Sequence, residues 1–177
     1  MRVINFYGGP GCGKSTIASG LFYLMKVKGY NVELVQEYVK DLAWENRMED
    51  QSFIAANQNL KLHRLEGKVD YVICDSSLIL GLAYLPTDYP IKSFKNYLTE
   101  LFHSYDNFLH IYVNRSVLNN SYDTNGRFQN EQEAKIKDMQ ILDLMSELGL
   151  EFSWFDLSPD TPNKILKMIE GKNDSLT

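Results

Sequence analysis

Short apolar runs alternate along the chain with longer stretches whose apolar residues recur every three or four positions. Val3 to Tyr7 (VINFY) lacks polar alternation, the pattern of a strand covered on both faces. Residues 14–28 follow a helical period, with Ile17, Leu21, Leu24 and Met25 on one face, and Gly29 ends it. Asn31–Gln36 (NVELVQ) predicts a second strand, residues 51–66 a helix, and Val69–Cys74 (VDYVIC) a third strand that stops at Asp75. Ile91, Phe94, Leu98, Leu101, Phe102 and Tyr105 carry the strongest helical period in the chain. Phe108–Val113 (FLHIYV) predicts a fourth strand, and the polar stretch from Asn114 to Gln129 has no period. A helix is expected over about 131–148, with Ala134, Ile141, Met145 and Leu148 on one side. Glu151–Leu157 (EFSWFDL) predicts a fifth strand, Pro162 opens a last helix to about Glu170, and the tail from Gly171 is expected to fray. Five strands alternating with helices predict an α/β fold, a five-stranded parallel sheet with helices on both faces.

Composition narrows the setting. The 177 residues suit one domain over 1–177, and 44% hydrophobic with 23% charged residues is ordinary for a globular protein. No apolar run reaches the length of a membrane span, and the first twenty residues carry a glycine-rich turn and a lysine instead of a leader pattern. Cys12 and Cys74 have no metal-ligand spacing and make no disulfide framework, so a reducing cytoplasm is expected. Net charge is -5 with 18 scattered Lys and Arg, which argues against a broad duplex-tracking face and leaves room only for a local DNA contact.

The chemistry concentrates where the first strand meets the first helix. Gly8-Gly9-Pro10-Gly11-Cys12-Gly13-Lys14-Ser15, followed by Thr16, satisfies the phosphate-loop pattern G-x-x-x-x-G-K-[ST] in full. Glycines let successive backbone N–H groups turn toward phosphates, and the helix N-terminus adds its positive dipole end. Lys14 is expected on the β- and γ-phosphates of ATP and Ser15 on Mg²⁺. The guanine-reading pattern N-K-x-D is missing from the chain, which argues against a GTPase. Cys12, inside the loop, is expected to be a modifiable thiol protected by ATP.

Asp75 follows its strand at the edge where ligands bind in such sheets, and could hold Mg²⁺ through water or orient the acceptor. Glu37, at the end of the second strand, is a candidate general base for a hydroxyl acceptor, with Asp41 behind it. Arg127, in the polar stretch, is a candidate for closing over the γ-phosphate, and Arg115, just after the fourth strand, could serve likewise. Gln51, Gln58 and Arg64 could read an acceptor base, and Tyr38, Trp44, Phe53 and Tyr84 could stack on one or simply pack. His63, His103 and His110 are read as structural.

The layout resembles the nucleoside and nucleotide kinases of the P-loop class, including thymidylate kinase. GGPGCGKSTIASGLFY, VELVQEYVKDLAWE, VDYVICDSSLIL and GRFQNEQEAKIKD together resemble a group of small phage-encoded kinases. That group is related to thymidylate kinase and includes enzymes that phosphorylate 5-hydroxymethyluracil in phage DNA. Those families usually place an arginine after the third-strand acid, where Ser76 stands here. The resemblance implies a P-loop fold with a short lid loop at about 114–130, use of ATP and Mg²⁺, and a nucleotide or modified-base acceptor. A free deoxynucleotide or a deoxynucleoside stays open as the acceptor, as does a non-kinase ATPase switch. It further implies a cytoplasmic site of action (the host's, if phage-encoded), a possible homodimer, and an adenine contact near Ser158, Pro159 and Asp160.

Overall fold

The computed structural model describes residues 1–45, 49–115 and 129–174. The strands are β1 (Arg2–Tyr7), β2 (Val32–Val35), β3 (Tyr71–Cys74), β4 (Asp106–Asn114) and β5 (Ser153–Asp156). They form one sheet in the order β2-β3-β1-β4-β5, and every neighbouring pair is parallel. Helices α1 (Lys14–Val27), α2 (Tyr38–Trp44), α3 (Gln51–His63), α4 (Phe94–His103), α5 (Glu131–Glu147) and α6 (Thr161–Asp174) make the connections. A 3-10 helix, Leu78–Tyr84, follows β3. This is the expected α/β P-loop arrangement.

Alternation within β1 explains the two covered faces. Ile4 and Phe6 point into a core shared with Ile17, Leu21 and Met25 of α1 and Ile165 and Ile169 of α6. Val3 and Tyr7 point the other way, into a core with Leu62 of α3, Leu98 and Phe102 of α4, and Ile141 and Met145 of α5. All of these are essentially out of water. Each large apolar side chain so buried contributes about 1.5–3 kcal/mol, so a sheet clothed on both sides needs no metal or disulfide to hold.

Two elements escape the hydrophobic pattern, and one prediction fails. Helix α2 buries only Leu42 and spans 7 residues, too short to establish a period. The 3-10 helix is apolar nearly throughout (LILGLAY) and buries its first three residues together, so no face stands out. The tail from Gly171 does not fray at once: α6 continues to Asp174, and Asn173 accepts from Arg2 at 2.6 Å and Tyr71 at 3.0 Å.

The topology fixes where a ligand sits. From β1 the chain crosses to β2 on one side, while from β3 it crosses β1 to reach β4 on the other. The connections diverge between β1 and β3, and a crevice opens there beyond the carboxyl ends of the strands. The phosphate loop leaves β1 at that point. Val35, Cys74 and the residues after them end beside it, because β2 pairs with β3 and β3 with β1 in parallel register.

Candidate active site

The loop from Gly8 to Gly13 turns through left-handed backbone at Gly8, Gly11 and Gly13. Gly8 has φ 130° and Gly13, which caps the N-terminus of α1, has φ 102°. Any L-residue would be strained at either place. Space is short as well, since a Cβ on Gly8 would lie 2.7 Å from the Val113 carbonyl and one on Gly13 3.0 Å from Leu157. Leu157 belongs to the turn after β5, so the segment from Ser158 to Asp160 starts next to the loop. There the Thr161 hydroxyl donates to the Asp156 carbonyl at 2.6 Å and shares a 2.9 Å bond with Ser158.

Lys14 opens α1 and is only 9% exposed. Its ammonium donates to the Gly8 carbonyl at 2.8 Å and the Gly9 carbonyl at 3.1 Å. Burial pulls its pKa down, but Cys12, Glu37, Tyr84 and Asp75 around it outweigh burial and hold it protonated.

Two carboxylates face this cation. Asp75 follows β3 and is 3% exposed, with its backbone N–H on the Val35 carbonyl at 3.0 Å. Burial raises its pKa, and Lys14, a hydrogen bond from Ser15 and Lys40 work against the rise. Its Oδ1 is buried with no hydrogen-bond partner among the described residues. Asp75 does not cap the 3-10 helix behind it, since the cap position is Ser77. Glu37 follows β2 and stands at the head of α2, where the Ser76 hydroxyl donates to its Oε1 at 3.3 Å. Burial raises the Glu37 pKa, Lys14 lowers it, and Asp75 adds to the rise. Asp41, by contrast, is turned outward to Lys61 at 3.0 Å.

Beyond Lys14 and Ser15 a cleft of about 830 Å³ runs between α2, α3 and the 3-10 helix. Glu37, Gln51, Gln58 and Ser76 line it, with Tyr38, Trp44, Tyr84 and Tyr89 as its aromatic wall. Phe53 is not in that wall; it leans on Tyr38 from outside with ring centroids 6.0 Å apart. Tyr89, which periodicity gave no reason to single out, arrives on the coil after the 3-10 helix and donates to Asp50 at 2.6 Å. Gln58 does not present its amide to the cleft. Its Oε1 accepts from the Tyr38 N–H at 3.0 Å and its Nε2 donates to the Ser76 carbonyl at 3.4 Å, tying α3 to α2 and to the end of β3. Arg64 sits exposed at the C-terminal cap of α3, away from the cleft lining, so it cannot read an acceptor there.

Arg115 lies against the loop in an ion pair. Its Nε donates to Asp138 at 2.7 Å and its terminal nitrogen to the Pro10 carbonyl at 2.8 Å. Asp138, on α5, also accepts the Gly9 N–H at 2.7 Å. No sequence pattern marks Asp138, which is one polar residue among many on its helix. Arg127 and most of the stretch expected as a lid lie outside the described residues. The expectation of a reactive Cys12 is overturned: the thiol is 2% exposed and burial pushes its pKa up, against the pull of Lys14. The histidines sit apart from the site. His63 pairs with Glu66 at 2.7 Å, His103 packs on Phe102, and His110 accepts or donates to the Tyr7 hydroxyl at 2.9 Å. No described helix is long and apolar enough to cross a membrane.

Among solved structures the fold recurs in deoxyadenosine kinase from M. mycoides. The form with the products dCMP and a flexible dCDP bound superposes with a TM-score of 0.61 at 14% identity, covering 98% of this chain and 100% of the other. The dATP-bound form gives 0.59 at 15% identity, covering 98% and 100%, and the dCTP-bound form 0.61 at 15%, covering 99% and 100%. Identities this low establish a shared fold. No curated protein matches the sequence. A family model described as "AAA domain" matches residues 3–159 and takes in β1 from Val3, the phosphate loop, Glu37, Asp75 and β5. The chain belongs to the AAA domain family.

Proposed function

We propose that this protein is an ATP-dependent kinase that transfers the γ-phosphate to a hydroxyl of a nucleoside-type acceptor. The observation that carries this reading is Glu37, a half-buried carboxylate between the phosphate loop and an aromatic-walled cleft. An alcohol must lose its proton as it is phosphorylated, and a carboxylate with a raised pKa facing the acceptor space can take it. Hydrolysis needs no such enclosed cleft. Fold neighbours that are deoxyadenosine kinases support the same class.

The residues divide the work by position. Backbone N–H groups from Gly11 to Thr16 receive the polyphosphate, and Lys14 leaves the Gly8 and Gly9 carbonyls to meet its outer oxygens. Mg²⁺ fits here, because Asp75 offers a buried carboxylate oxygen without a partner among the described residues, next to the Ser15 hydroxyl. When bound, the ion would neutralise charge developing on the transferred phosphoryl group. Glu37 accepts the acceptor's proton while Ser76 holds the carboxylate in place. Tyr38, Tyr84 and Tyr89 wall the acceptor and exclude water from it.

A base at Glu37 favours an alcohol acceptor over a monophosphate, whose phosphate oxygen has no proton that must be taken. The two acceptors that remain are a deoxynucleoside hydroxyl and the hydroxymethyl group of 5-hydroxymethyluracil in DNA. Trp44 favours the second: it lines the cleft yet is 63% exposed, a surface on which a base drawn out of a strand could stack. Incubation with γ-labelled ATP, Mg²⁺ and three acceptor sets tests the reading: deoxynucleosides, deoxynucleoside monophosphates, and DNA containing 5-hydroxymethyluracil. Label on a deoxynucleoside or on the modified DNA supports it. Label on monophosphates alone, or on nothing, refutes it.

A further inference from the structure

Position 9 is one of those the phosphate-loop pattern leaves open, yet it holds glycine. Its backbone does not ask for one, because Gly9 is absent from the positive-φ glycines. Space asks for one. A Cβ there would overlap the Asp138 carboxylate and stand 2.9 Å from the Ala134 carbonyl. Helix α5 is therefore seated directly on the outer bend of the loop.

The contact is polar and two-pronged. Asp138 Oδ1 accepts the Gly9 N–H at 2.7 Å, and Asp138 Oδ2 accepts Arg115 Nε at 2.7 Å. Arg115 closes the circuit by donating to the Pro10 carbonyl at 2.8 Å. Asp138 and Arg115 side chains are each 17% exposed, so these bonds are sheltered from competing water. On the inner side Lys14 donates to the Gly8 carbonyl at 2.8 Å, the other end of the peptide unit whose N–H Asp138 holds. That one peptide of the loop is thus gripped by α5 from without and by Lys14 from within.

We propose that Asp138 is a positioning residue for triphosphate binding. By holding the Gly9 N–H, it fixes the bend of the loop before nucleotide arrives, so that Lys14 and the N–H groups beyond it need not be ordered at the moment of binding. A carboxylate this close to a polyphosphate would otherwise repel it. Arg115 removes that penalty by neutralising the charge. The proposal rests on the reading of this loop as an ATP site.

The test is calorimetric binding of Mg²⁺·ATP, without acceptor, to wild type, Asp138→Ala and Asp138→Asn, each checked for folding by thermal melting. Asp138→Ala is expected to weaken ATP by about tenfold, the scale of one lost sheltered hydrogen bond. Asp138→Asn keeps an oxygen for the Gly9 N–H and is expected to stay within about threefold of wild type, a rescue that a role of its charge alone would not give. If Asp138→Ala fails to fold, Gly9→Ala reads the contact from the loop side, and it too is expected to lose about tenfold. Wild-type affinity in Asp138→Ala, or in a folded Gly9→Ala, overturns the proposal, as does Asp138→Asn falling as far as alanine. A wild-type protein that binds no ATP overturns both this proposal and the kinase reading, whereas tight wild-type binding with an indifferent Asp138 removes this proposal alone.

Discussion

The Lys14 ammonium donates to the Gly8 carbonyl at 2.8 Å, so the lysine is folded back onto the loop that carries it. It rests as an internal counter-ion, with the Glu37 and Asp75 carboxylates nearby holding its charge. In the proposed mechanism incoming phosphates exchange one set of oxygens for another, so that the ammonium is never left bare. Lys14→Ala removes both the phosphate contact and that counter-ion. Turnover is expected to fall by about 10²–10³-fold or more. Steady-state transfer rates check it, and near wild-type turnover in Lys14→Ala would be incompatible with a catalytic phosphate loop.

In the proposed mechanism Glu37 sets the acid side of the pH profile. Burial holds its pKa above the ordinary carboxylate value of about 4.3, and Lys14 only partly offsets this. The base works when deprotonated, so kcat/KM should fall as the pH drops through the raised pKa. The acid limb therefore lies at higher pH than an exposed glutamate would give. Glu37→Gln should lower kcat by about 10²–10⁴-fold, leave ATP affinity near wild type, and abolish that limb. An unchanged acid limb in Glu37→Gln would move the base elsewhere.

In the proposed mechanism Asp75 serves the chemistry at a cost in stability. Its folded-state pKa is raised by burial, so the folded protein binds this proton more tightly than the unfolded chain does. The stability this gives is present at low pH and lost as pH rises from the ordinary carboxylate value through the raised one. At neutral pH the ionised group is a cost. Asp75→Asn should raise the melting temperature at pH 7, with the gain shrinking on acidification, while transfer activity collapses. A lower melting temperature at pH 7 would contradict this account of the buried oxygen.

Cys12 should be inert in the native protein. The thiol is buried, its pKa is raised, and its sulfur lies where a Cβ on Gly8 would stand 2.8 Å away. Thiol reagents should label it only at the rate of local opening, and ATP should slow that further. Rapid stoichiometric labelling of Cys12 in the folded protein would show that the loop opens far more readily than its packing implies.

How much of this was legible in the chain depends on how local each signal is. The phosphate loop is eight consecutive residues between an apolar strand and a helix, and its context could be read without a structure. Glu37 and Asp75 could be found because Asp75 directly follows a strand and Glu37 stands two residues beyond one, and parallel topology brings strand ends together. Gln58 was visible as a residue but not in its role, because its backbone partners at Tyr38 and Ser76 lie 20 and 18 positions away. Asp138 and Tyr89 gave no signal at all. One is a charge on an amphipathic helix and the other lies in irregular coil, and only the folded chain sets them against the loop and the cleft.

Acceptor-dependence of ADP formation separates a kinase from an ATPase. ADP release from ATP and Mg²⁺ would be followed with and without a deoxynucleoside or DNA containing 5-hydroxymethyluracil. A kinase forms negligible ADP without acceptor, and with one of them ADP is expected one-for-one with phosphorylated product. Steady ADP and phosphate release that no acceptor alters would contradict the kinase reading, and would make the protein an ATPase whose cleft serves some other end.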